Sequence, residues 1–120
     1  MDTPHESTRA IGKSSEDLAA DHLTTLGYAI VARNWQAKDG ELDIIARAPD
    51  GTLVFVEVKS ARGPGYGHPF QFVTRGKQRK IITMARRYLY ENDMNNKPCR
   101  FDVIAVLNGK IEHLKNAFLV

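Results

Sequence analysis

"ELDIIARAPDGTLVFVEVKS", residues 41–60, is the stretch on which the fold of this chain turns. Two runs rich in β-branched and aromatic residues, 41–47 and 52–59, flank Pro49-Asp50-Gly51, and together they predict a β-hairpin. Each run also carries charges where a sheet should be apolar. Side chains alternate across a strand, so Glu41 and Asp43 share one face while Leu42, Ile44 and Ala46 share the other. Glu57 and Lys59 likewise share a face, about 7 Å apart along the backbone. Pairing around the turn predicts one face that holds Asp43, Glu57 and Lys59 together. Two converging carboxylates repel each other, and burial adds to the cost unless a cation meets them. Lys59 would neutralise one of them. A hard divalent ion such as Mg2+, which favours oxygen ligands and keeps several waters, would accommodate both.

Outward from the hairpin, residues 14–26 predict a helix. Ser14 and Asp17 form a capping pattern, Leu18, Ala19, Leu23 and Leu26 recur at helical spacing, and Gly27 ends it. Residues 28–35 predict a strand that joins the hairpin in an antiparallel meander. The Gly- and Pro-rich 63–69 predicts a loop, set as a flap beside a nucleic-acid groove. A long helix is expected over 74–91 with Ile81, Ala85, Tyr88 and Leu89 as its inner stripe. Strands at 100–107 and 110–114 follow, joined by Asn108-Gly109. A helix between the third and fourth strands permits a parallel crossover, so the order predicts an α/β fold with a mixed central sheet flanked by helices.

At 120 residues, 42% of them hydrophobic, the chain predicts one domain able to bury a core unaided. Residues 1–12 are expected to be a flexible N-terminal segment and 13–120 the domain. No apolar run approaches the roughly 18–20 residues of a membrane helix, and Met1-Asp2-Thr3-Pro4 lacks a signal-peptide pattern. Cys99 is the single cysteine, which excludes an intramolecular disulfide and a thiolate metal cluster. The expectation is a soluble, cytoplasmic protein with no membrane partner.

Charge is unevenly spread. Between Val58 and Tyr90 stand eight basic residues and no acid: Lys59, Arg62, Arg75, Lys77, Arg79, Lys80, Arg86 and Arg87. The rest of the chain is net acidic, so one side should face a polyanion. Arg62, Arg75, Lys77, Arg79, Lys80 and Arg86 are the expected contacts to a nucleic-acid backbone, which supply affinity without reading sequence. Carboxylates beside a basic helix match the needs of phosphodiester hydrolysis. A divalent ion polarises the phosphate and lowers the pKa of a bound water, and a partly desolvated lysine orients or helps deprotonate that water.

Asp43, Glu57 and Lys59, read as D-x13-E-x-K, resemble the core motif of the PD-(D/E)xK nuclease superfamily. The strings "GELDIIAR", "GTLVFVEVKS", "GKQRKI" and "RFDVIAV" make the chain similar to the YraN-like family of bacterial proteins, from about Gly12 to Leu119. That family in turn resembles archaeal Holliday-junction resolvases. The resemblance implies a restriction-endonuclease-like αβββαβ core and Mg2+ or Mn2+ held by Asp43 and Glu57, with the Val58 carbonyl as a further ligand. It implies that Lys59 serves the attacking water, that Glu16 on the first helix stands near the metal, and that Gln78 lies near the site. Glu41 is an additional acid, and the serine some resolvases carry before the motif aspartate has no counterpart here.

The resulting expectation is a metal-dependent endonuclease-like domain that hydrolyses DNA, on branched or structured substrates. A homodimer would suit a junction, where phosphates on two strands must be reached. The alternative is a non-catalytic nucleic-acid-binding module on the same scaffold; a small-molecule hydrolase leaves the basic segment unexplained. Asp102 is expected to be structural, satisfied by Arg100 or a backbone amide. The four histidines show no zinc spacing, and Trp35 and Tyr28 read as core or strand-edge residues.

Overall fold

The hairpin is the middle of a five-stranded sheet. The computed structural model describes residues 13–61 and 73–118. Its elements run α1 (Ser15–Thr25), β1 (Ala29–Ala37), β2 (Gly40–Arg47), β3 (Leu53–Ala61), α2 (Arg75–Glu91), β4 (Cys99–Leu107) and β5 (Lys110–Phe118). The segment 1–12, the loop 63–69 and Arg62 lie outside the described residues. The strands stand side by side in chain order. β1, β2 and β3 form an antiparallel meander, β3 and β4 are parallel with α2 as the crossover, and β5 returns antiparallel to β4. This is the αβββαβ order with a mixed sheet, extended by one strand. β5 runs on to Phe118, beyond the Leu114 expected from sequence, because pairing resumes at Phe101↔Phe118 after a register shift.

Both helices begin on a side-chain cap. Ser14 accepts the amide of Asp17 at 3.0 Å and Thr74 accepts that of Lys77 at 3.2 Å. Alternation along β3 and β4 then sorts the core into two layers. Val54, Val56 and Ile104 face α1, where Ala19 and Leu23 pack onto them. Leu53, Phe55, Phe101 and Val103 face α2, where Ile81, Met84, Ala85, Tyr88 and Leu89 cover them. Met84 thus joins the inner stripe expected from sequence. Trp35 on β1 packs edge-on against Tyr88, with centroids 5.4 Å apart.

β2 departs from strict alternation. Leu42, expected on the face of Ile44 and Ala46, packs instead in the α2 layer with Ile45, while Ile44 and Ala46 stay in the α1 layer. The change of face falls at Asp43, the residue after which β2 comes under full ladder pairing with β3.

Asp102 is fully buried on the α1 side, and its carboxylate is completely used. Arg100 Nε donates to it at 3.0 Å and the Asn116 amide at 2.9 Å. His113 Nε2 lies 2.8 Å away. Burial alone would push this acid up, but the His113, Arg100 and Asn116 bonds outweigh it and hold it below the usual carboxylate range. With Asp102 ionised, His113 Nε2 donates to it, and His113 Nδ1 shares a hydrogen bond with His22 Nε2, 3.2 Å away. Arg100 also donates to the Tyr28 hydroxyl at 2.6 Å. The network ties α1, β4 and β5 together.

Candidate functional site

β2 and β3 pair from Arg47↔Leu53 to Ile44↔Val56, and there the ladder stops. One step further would set Asp43 opposite Glu57. Two carboxylates at ladder distance repel, and the Asp43 side chain takes over the backbone's role. Its Oδ2 accepts the Val58 amide at 2.8 Å. The opening forms one end of a cavity of about 340 Å3 between the sheet and α2. Glu41, Asp43, Glu57, Val58 and Lys59 line it from the sheet, Lys77, Lys80, Ile81 and Met84 from the helix, and Asp39 and Gly40 from the β1–β2 turn. Gly40 holds a φ of +147°, and a Cβ there would sit 3.2 Å from Met84 Sδ, so the close approach of this turn to α2 needs glycine.

Glu57 is only 5% exposed. Two ammonium groups meet it: Lys77 Nζ at 3.3 Å and Lys59 Nζ at 3.6 Å from Oε2. The charge of Glu57 in turn pushes the Lys77 ammonium above its ordinary pKa. Asp43 is different. Burial first, and the Glu57 charge second, push its carboxyl up to about 6, against the Val58 amide, which favours the ionised form. Glu16 adds to the repulsion at longer range. The site therefore holds one carboxylate with two cations and a second that is short of positive charge.

The side chains singled out in the sequence divide into three groups. Asp43, Glu57, Lys59 and Val58 gather at the cavity, joined by Glu41, whose Oε1 is 3.4 Å from Gln36 Nε2. Glu16 and Gln78 do not line it. The Glu16 carboxylate accepts from Arg33 Nε at 2.8 Å and Asn34 Nδ2 at 3.0 Å. Gln78 donates to the Val73 carbonyl at 3.0 Å, just before α2. Arg75, Arg79 and Lys80 are exposed on the first turns of α2, and Arg79 and Lys80 border an open depression that adjoins the cavity through Asp39. Arg86 lines a separate groove with Ile82, Leu89 and Cys99, nine residues or about 14 Å along the helix from Lys77.

Lys77 is the residue whose position the sequence reading did not anticipate. Grouped there with the phosphate contacts, it turns inward onto Glu57. The signal was its spacing: Lys77, Ile81, Met84 and Tyr88 fall on one helical stripe, and the last three are buried against the sheet.

Asp43, Glu57 and the Val58 carbonyl would be the oxygen donors for a metal. Among the described residues no three His, Cys, Asp or Glu side chains converge as a ligand group. Two carboxylates suit Mg2+, which commonly takes one or two along with waters and substrate phosphate oxygens. The raised pKa of Asp43 fits such an ion, since a nearby cation would offset both the burial of its charge and the repulsion from Glu57.

The chain is similar to UPF0102 proteins of several bacteria. It is 46% identical over 107 residues to that of Persephonella marina, covering 89% of this chain and 91% of that one. It is 44% identical over 116 residues to UPF0102 protein RALTA_A3032 of Cupriavidus taiwanensis, covering 97% and 88%. The Rhodococcus opacus protein is 46% identical over 114 residues, with coverage of 91% and 96%. A solved structure, Pyrococcus furiosus SfsA in complex with Ca2+, gives a TM-score of 0.36 at 18% identity, covering 94% of this chain and 65% of that chain, so this chain spans under two thirds of its length. Residues 15–106 match the model of Uncharacterised protein family UPF0102, and with these identities over nearly the whole chain it belongs to that family.

Proposed function

We propose that this protein is a Mg2+- or Mn2+-dependent endonuclease-like domain that hydrolyses DNA phosphodiester bonds, on branched or structured DNA. One observation carries the reading: Asp43 and Glu57, with Lys59 beside them, flank an open cavity where the β2–β3 ladder separates, and basic α2 residues border it. A bound divalent ion would polarise the phosphate and supply an acidified water. The chain's own residues do the rest. Asp43 and Glu57 would hold the ion. Lys59, partly screened from solvent and fixed against Glu57, orients the attacking water and stabilises the hydroxide as it forms. Arg79 and Lys80 seat the DNA backbone along the adjoining depression. Glu16, held by Arg33 and Asn34, acts through its charge on Asp43.

The test is cleavage of labelled four-way junction, flap, duplex and single-stranded DNA with Mg2+ or Mn2+. Wild type should cut at least one form, with Glu57→Gln abolishing the cut and Lys59→Met slowing it about 10²- to 10⁴-fold. A wild type that cuts none of them sinks the reading. A second reading, a binding module that does not cut, is favoured by the two ammonium groups on Glu57, which neutralise it without a metal. It predicts equal DNA affinity for wild type and both variants, with or without metal.

A further inference from the structure

Glu57 has more positive charge around it than its own neutralisation needs, and the two lysines reach it from different elements. Lys59 stands on the same strand face, and its side chain is 23% exposed. Lys77 comes down from the first turn of α2, where its own amide closes the Thr74 cap, and its side chain is 42% exposed. Lys59 is confined beside Glu57 by its place on β3. Lys77 is free to turn outward, because one side of it already faces solvent, and Arg79 and Lys80 stand next to it on the side a polyanion would approach. The charge balance gives this freedom a use. Four acids, Asp39, Glu41, Asp43 and Glu57, line the cavity together with Lys59, Lys77 and Lys80. A divalent cation between Asp43 and Glu57 would leave the three ammonium groups one positive charge in surplus. A phosphodiester entering beside them would restore the balance.

We propose that Lys77 is an internal counter-ion of the site: it occupies Glu57 until a divalent cation arrives, then gives up the carboxylate and passes its ammonium to the substrate phosphate. The inference rests on the metal-site reading above and adds to it a coupling between cation and DNA. Each ligand favours the state in which Lys77 has left Glu57, so each raises the affinity of the other by the same factor. Lys77 is in this sense a positioning and specificity residue that disfavours cation loading in the absence of nucleic acid.

The experiment is Mn2+ titration by calorimetry at pH 7.5, with and without a short DNA duplex, on wild type, Lys77→Met and Lys80→Met. Lys80 lines the same cavity without an ion pair to Glu57 among those of the described residues, so its variant reports the general loss of a nearby positive charge. Without DNA, Lys77→Met should bind Mn2+ about three- to tenfold more tightly than wild type, and Lys80→Met distinctly less so. The duplex should raise Mn2+ affinity in wild type and raise it less in Lys77→Met. Mn2+ binding by Lys77→Met alone, with none by wild type, supports the proposal in its strongest form. Equal or weaker binding by Lys77→Met, or the same gain in Lys80→Met, overturns the Lys77 assignment and leaves the metal site standing. No Mn2+ binding by any of the three, with or without duplex, overturns the metal reading and this inference together.

Discussion

Asp43 is where the fold and the proposed function pull against each other. Its carboxylate is half-buried beside Glu57, and these surroundings push its pKa up to about 6 against an ordinary 3.8. The folded protein therefore holds more protons than the unfolded chain between about pH 4 and 6, and the stability tied to this group is lost as pH rises through that window. Asp43→Asn keeps an oxygen for the Val58 amide and removes the charge. In chelator-treated protein the variant should be more stable than wild type by about 1–3 kcal/mol at pH 7.5, and the gain should shrink toward zero as pH falls from 6 to 4. Urea unfolding across that range checks it; a variant less stable than wild type at pH 7.5 would mean that Asp43 is a structural acceptor and little more. Asp102 is the opposite case, a fully buried acid with three donors and a lowered pKa, and nothing about it is in deficit.

Among the elements, α2 has two jobs that meet at its first turn. Its buried stripe, Ile81, Met84, Ala85 and Tyr88, fixes the helix on the sheet, and the same stripe extended by one turn delivers Lys77 to Glu57. The Thr74 cap holds that turn through the Lys77 amide itself. Thr74→Ala should cost about 1 kcal/mol in unfolding free energy. If Lys77 is delivered by the cap, the same variant should shift Mn2+ affinity in the direction of Lys77→Met. A stability loss with unchanged metal affinity would separate the two jobs. α1 works from the other face: Leu23 and Ala19 pack on Val54, Val56 and Ile104, and Arg33 on β1 holds Glu16 and Asp17.

At the scale of the whole molecule, an acidic body presents one basic helix. That division predicts binding to DNA dominated by phosphate contacts, with log K falling linearly with log salt concentration. Arg79→Ala and Lys80→Ala should each lower the magnitude of the slope by about one and weaken all DNA sequences alike. Arg86→Ala should change it less, since that side chain lines a separate groove farther along the helix. Fluorescence anisotropy over a salt series makes the comparison, and equal slopes for wild type and the Arg79 and Lys80 variants would move the DNA path off this end of α2. No described helix is long and apolar enough to cross a membrane.

The strand order, the crossover helix and the Ser14 cap were legible in the chain itself, because alternation, helical spacing and turn residues are local properties. So was the convergence of Asp43, Glu57 and Lys59, since a hairpin's turn fixes which residues share a face. Local rules also misplaced Leu42, which strict alternation sets with Ile44; a ladder that opens at Asp43 is a response to two charges brought opposite each other, and that meeting exists only in the folded sheet. The same holds for the distant partners of Glu57 and Asp102. Lys77 and His113 lie 20 and 11 residues away in sequence, and only the docking of α2 and the return of β5 bring them within reach. Sequence determined the elements, the chemistry they carry and the near partners Lys59 and Arg100; tertiary structure alone brought Lys77 to Glu57 and His113 to Asp102, because those contacts need the docking of α2 and the return of β5.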